Sequence, residues 1–174
     1  MPRLPRLAPA LLVSLLSAPA AADPLPAEPP YALDALPRHV TGCPKIAIAA
    51  YGGDVLKLSP TLWINADFQR HVRAFEQLAR DVALEVYGRA PSRLVHLGGY
   101  ACRRMRQHAE WLSEHALGNA LDVEGFDFGP LPKGASLPIG LDPALARPFE
   151  VRLVRHWGKK AGLPAVHARF LRTL

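Results

Sequence analysis

Ser113-Glu114-His115-Ala116-Leu117-Gly118-Asn119-Ala120-Leu121-Asp122 sets a histidine and an aspartate seven residues apart around a glycine. An imidazole nitrogen and a carboxylate oxygen are donors that hydrolytic zinc sites favour. Seven residues is the wrong interval for a shared helix face, where neighbours lie three or four apart. On a regular strand the two side chains would point to opposite faces. If His115 and Asp122 share a metal, the chain must therefore kink between them. Gly118 followed by Asn119 supplies that kink, because both tolerate turn geometry. Beyond it, residues 120–123 read as a short strand that presents Asp122. Ser113 precedes the turn and suits a structural role, bonding its side chain to nearby backbone.

The pattern Ser-x-His-x-x-Gly-x-Ala-x-Asp resembles the first metal motif of the LAS-type zinc peptidases, named for lysostaphin, D-Ala-D-Ala peptidases and sonic hedgehog. With His96-Leu97-Gly98-Gly99-Tyr100-Ala101-Cys102-Arg103 upstream and Gly125-Phe126 downstream, it is more similar still to bacterial proteins with an extensin-like C-terminal domain. The resemblance spans residues 40–174. It implies an α+β fold of the LAS/hedgehog metallopeptidase type, with a small antiparallel sheet and helices packed on one side. It also implies zinc on His115 and Asp122, and amide hydrolysis of peptidoglycan-type peptides. Arg103 falls where related peptidases carry an arginine for the substrate carboxylate or the developing oxyanion. A salt bridge to a local acid is the structural alternative, and Arg104 is the alternative in register.

Relatives complete the zinc site with a His-x-His motif near the C-terminus, and none occurs in this sequence. A catalytic zinc normally has three protein ligands and an open position. Two are in view, so the domain reads as C-terminally truncated. The competing expectation is a non-catalytic envelope module that binds wall peptide. His156 and His167 follow the proline-rich passage, and either could be drafted as a third ligand, though neither matches the family's position. His96 reads as a core histidine or a group supporting the site, Glu124 as a ligand-orienting or a solvated carboxylate. His39 and His108 read as surface residues.

Residues 1–22 read as an export signal, with Arg3 and Arg6 ahead of a short apolar run and small residues before Asp23. The run is too short to span a membrane, and no other span is expected after cleavage. Residues 23–39 form a Pro/Ala-rich linker. The full chain has 174 residues, 21 Lys and Arg, 15 Asp and Glu, and a formal charge of +6. Removing Arg3 and Arg6 leaves 19 against 15, or +4. That mild, scattered charge suits an anionic envelope surface, periplasmic or extracellular. It argues against nucleic acid, since no basic block is interleaved with aromatics. The only cysteines, Cys43 and Cys102, pair if the compartment is oxidising, or stay as two separate buried thiols.

The remaining expectations concern elements. Residues 45–49 and 55–58 read as a hairpin around Gly52-Gly53. A helix follows Asn65, with Phe68, Val72, Phe75, Leu78, Val82 and Val86 inward and Gly88 as its stop. Its charged residues and His71 read as the solvated face. Residues 93–97 read as a strand and 103–112 as a loop or short helix. The Pro/Gly-rich passage after Gly125 reads as a rim loop. Phe149, Leu153 and Trp157 suggest a late helix, and a last helix starts near Pro164.

Overall fold

A computed structural model describes residues 42–174. The export signal and the whole linker expected from sequence, with His39, lie outside the described residues. The fold is α+β, with small sheets and few helices. Strand β1 (Ile48–Tyr51) pairs antiparallel with β3 (Leu62–Asn65). A second sheet has the order β2 (Lys57–Leu58), β4 (Arg93–Gly98), β5 (Asp122–Phe128), β6 (Phe149–Arg152). Its last three strands are antiparallel, but β2 runs parallel to β4, so this sheet is mixed rather than purely antiparallel as expected.

The long helix α1 (Gln69–Tyr87) forms where the apolar spacing indicates. Asn65 caps the short 3-10 turn that leads into it, its Oδ1 accepting from Asp67 N at 3.0 Å. Gly88 ends it in the left-handed conformation (φ 69°), donating its N–H to Leu84 O at 2.9 Å. The buried face, however, is Val72, Glu76, Ala79, Val82, Ala83, Val86 and Tyr87, while Leu78 is exposed. Glu76 is thus no part of a solvated face. Its Oε2 accepts from Asp54 N, Val55 N and Leu56 N at 3.1, 2.6 and 2.9 Å. This explains a second correction. Because those amides are spent on a carboxylate, residues 55–58 do not return along β1. Only Lys57–Leu58 become strand, and the true hairpin partner of β1 is β3. His71 is half-buried and stacks on Phe68 with ring centroids 5.8 Å apart.

Period-two alternation divides the larger sheet. Leu94, Phe126, Phe128 and Val151 join the core with α1 and with Phe170 and Leu171 of α3 (Gly162–Thr173). Burying each phenylalanine stabilises by about 2–3 kcal/mol relative to exposure. The residues between them carry charge. Asp127 is gripped by Arg93, whose Nε lies 2.7 Å from Oδ2, and by Arg152 at 2.6 Å. Burial pushes the Asp127 carboxyl up, but the hydrogen bonds and charges of Arg152 and Arg93 hold it below the usual carboxylate range.

The expected late helix over Phe149–Trp157 is instead a strand followed by one short helix, α2 (Leu153–His156). The reason is local: Phe149 and Val151 alternate into the core and pair with Phe128 and Phe126 of β5. The Pro/Gly-rich passage between β5 and β6 is irregular apart from one 3-10 turn, Pro143–Ala146, capped by Asp142. Buried Leu145 and the Arg89 guanidinium, which donates to Leu145 O and Arg147 O, hold its far end. Among the described residues no helix is long and apolar enough to cross a membrane.

Candidate functional site

The residues 113–122 adopt the kinked path that their spacing requires. Ser113 caps a 3-10 turn, Glu114–Leu117, its Oγ accepting from His115 N at 3.4 Å. Ala116 and Leu117 are buried and anchor the turn. Gly118 follows at φ 67° and donates to His115 O. A Cβ there would sit 2.5 Å from Asn65 N and 2.6 Å from Ile48 Cδ1, so close approach as well as φ requires glycine. Gly118 O accepts from Asn65 N at 2.9 Å, docking the turn on β3.

Asp122 begins β5 and stands opposite Gly98 at the end of β4. The β4–β5 register shifts twice just before this point, between Val95 and His96 and between His96 and Gly98. Such bulges bend a strand and re-aim its end. The next carbonyl, Gly99 O, lies 2.5 Å from His115 Nδ1. A carbonyl can only accept, so Nδ1 carries a proton, and in that tautomer the Nε2 lone pair is the one left for a partner. That Nε2 faces Asp122 Oδ2 at 3.4 Å. The imidazole is well sheltered, its side chain 11 % exposed, whereas Asp122 is 54 % exposed. Gly99 itself is wedged against β3, where a Cβ would lie 2.7 Å from Ile64 Cγ2 and 2.8 Å from Trp63 O.

Residues 101–115 fold back on themselves. Ala101 N donates to His115 O, Ser113 N to Arg103 O and Met105 N to Trp111 O, at 2.9, 3.1 and 2.9 Å. Residues 103–112 form the loop, not the short helix, of the two forms the sequence suggested, and this ladder with an isolated Arg104–Leu112 bridge closes it. Its base is held by the Cys43–Cys102 disulfide, with Cα atoms 5.8 Å apart. Closing a loop of 59 residues contributes on the order of 4 kcal/mol in the chain-entropy view. Arg103 is exposed on this hairpin and makes no ion pair among the described residues. Its backbone is bonded to Ser113, two residues from His115.

The other polar residues singled out from sequence are spent elsewhere. Glu124 lies 3.7 Å from Arg152, and Asp127 is held by Arg93 and Arg152. His156 and His167 are buried together, ring centroids 4.8 Å apart, with His167 Nδ1 3.0 Å from the Tyr87 hydroxyl. His96 donates from Nε2 to Pro60 O at 2.7 Å, leaving Nδ1 buried without a partner. His108 is exposed beside Glu110 and Trp111. Among the described residues no group of three His, Cys, Asp or Glu side chains is arranged to hold a metal. Buried Asn119, next to Gly118, has neither side-chain polar atom hydrogen-bonded. Sequence reasoning gave it only a share in the kink, and its amide carries no pattern that would have signalled burial.

Residues 38–137 match the family described as extensin-like protein C-terminus. The chain belongs to that family. The matched span of this extensin-like domain contains both cysteines, the bulged end of β4, the hairpin with Arg103, and the turn from Ser113 to Asp122. Strand β6 and helices α2 and α3 lie beyond it. No curated protein and no solved structure matches the chain.

Proposed function

We propose that this extensin-like domain acts in the cell envelope on wall peptide, with His115 and Asp122 holding a zinc ion for amide hydrolysis. One observation carries the reading: His115 Nε2 and Asp122 Oδ2 are 3.4 Å apart, with Nδ1 tied back to a carbonyl. Two ligand atoms at zinc bond lengths of about 2.0–2.1 Å and a tetrahedral angle lie about 3.3–3.4 Å from each other. A direct N–H···O bond is shorter, near 2.9 Å. A backbone carbonyl on the far nitrogen is also the usual way to orient a metal-binding imidazole. The two donors therefore fit the ion, and export through a signal in residues 1–22 would bring the domain to its substrate.

Zinc held there would supply a polarised carbonyl and a bound water with a pKa near 7. Gly99 O would keep the His115 ring in one orientation and tautomer. Asp122, at the open end of β5, would bring negative charge to the ion. Arg103 would meet the substrate carboxylate or the oxyanion, since a guanidinium stays charged and offers a fork of donors. Kinship with LAS-type peptidases is part of this proposal and rests on the motif. A second reading, a non-catalytic module binding wall peptide, is favoured by one fact: no third donor joins His115 and Asp122 among the described residues.

Zinc content and affinity of the purified chain, beside His115→Ala and Asp122→Ala, test the proposal. Near-stoichiometric zinc lost in both variants is expected. A parent chain that binds no zinc would overturn the metal reading. Zinc binding without release of new amino groups from purified peptidoglycan would favour the module.

A further inference from the structure

We propose that the hairpin of residues 100–112 is a docking surface for peptidoglycan, gripping its sugars by aromatic faces and its carboxylates by arginine. This deepens the envelope reading above and rests on it. The hairpin displays apolar side chains that a solvated loop has no reason to keep. Trp111, Tyr100 and Met105 are 46 %, 38 % and 36 % exposed within one short segment. Single exposed apolar residues are ordinary, but a cluster beside a candidate site marks an interaction surface. Trp111 stacks on His108 with centroids 5.3 Å apart and planes at 26°, which makes a flat ring surface. Aromatic rings of this kind give large, rigid contact area with a polar edge.

The surface is also built to hold its shape. The Arg104 guanidinium donates to Ala109 O and Glu110 O at 3.2 and 3.1 Å, tying down the tip. The disulfide at Cys102 and the ladder to Ser113 and His115 fix the base. Rigid presentation lowers the ordering cost of binding. Two cations remain for a ligand, because Arg103 and Arg106 are exposed and make no ion pair among the described residues.

Charge selects the partner. Between residues 100 and 115 three arginines stand against Glu110 and Glu114, a formal balance of +1. A track for a polyphosphate needs a denser positive stripe. A chain of amino sugars with carboxylates spaced along its peptide stems needs aromatic faces and a few guanidinium forks, which are the groups present. Ala101 N is bonded to His115 O, so the base of the hairpin adjoins the residue that carries the candidate imidazole.

The test is co-sedimentation of the full chain with purified peptidoglycan sacculi in EDTA. The parent should pellet. Trp111→Ala should weaken binding about tenfold, as for an aromatic hot spot, and Arg106→Ala about threefold. Met105→Ala should weaken it in the same direction, which keeps the test decisive if Trp111→Ala fails to fold by near-ultraviolet circular dichroism. As a control, Val154→Ala, at an exposed apolar residue of α2 outside the hairpin, should pellet like the parent. Binding that persists while the zinc measurement fails would sink the hydrolytic reading alone. A parent left in the supernatant would overturn the docking surface, as would Trp111→Ala and Met105→Ala pelleting normally. Displacement by single-stranded DNA would overturn it in favour of nucleic acid.

Discussion

The histidines of this domain live in two contrasting places. His156 and His167 lie in the core, ring against ring, enclosed by Tyr87, Phe149 and the backbone N–H of Arg152, which His156 Nδ1 accepts at 2.9 Å. His115 has one nitrogen tied to a carbonyl and the other aimed at a half-exposed carboxylate. Each ring of the first pair has its Nδ1 engaged inside the core, whereas His115 directs its Nε2 at a carboxylate. A histidine is thus read by where each ring nitrogen goes, not by how deeply it is buried. The carboxylates divide the same way: Glu76 is fully buried on three backbone amides, while Asp122 stands open.

The largest effect is expected at Glu76. Glu76→Ala strands three amide donors in or near the core and should cost about 4 kcal/mol of unfolding free energy in urea. A loss below about 1 kcal/mol would show that water replaces the carboxylate and that the contrast with Asp122 is unreal.

Acid should come next. Burial and the neighbouring His156 lower the His167 pKa from 6.5 to about 4, and burial with nearby Arg155, Arg152 and Lys159 lowers that of His156. The unfolded state then binds more protons, so stability is full above pH 6.5 and falls as pH drops towards 4. For His167 the loss approaches about 3 kcal/mol. Denaturation midpoints at pH 7 and pH 4.5 should reveal it, and His167→Phe should flatten the slope. An unchanged slope would place the titration elsewhere.

Gly118→Ala should destabilise by about 2 kcal/mol, through left-handed strain and collision with Asn65. A calorimetric melt unchanged from the parent would mean that the turn relaxes. The smallest change in stability belongs to Asp122→Asn. The Asp122 carboxylate is half-exposed, so the melt should move by less than about 0.5 kcal/mol. A large loss would mark Asp122 as structural, like Glu76.

Much of this was legible along the chain. The long helix, its Asn65 entry and its Gly88 stop follow from periodicity and capping, which are local rules. The kink at Gly118 follows from asking what two residues seven apart need in order to meet. Other features were not legible, because partners distant in sequence create them. Glu76 reads as a solvated charge until three amides some twenty residues upstream close on it. Phe149, Leu153 and Trp157 fit a helical interval until β5 offers Phe149 and Val151 an edge. The 101–115 ladder needs the bulged end of β4, and no local pattern announces a bulge.

By itself, then, the sequence determined which residues cap, turn and alternate, and it singled out His115 and Asp122 as a pair with metal-type donors. Only the tertiary structure decided where their free atoms point. The Gly99 carbonyl, just past β4, fixes the His115 tautomer, and the Gly98–Asp122 register sets the carboxylate beside it. The physical reason is that hydrogen-bond direction depends on through-space partners, which spacing along a chain does not encode.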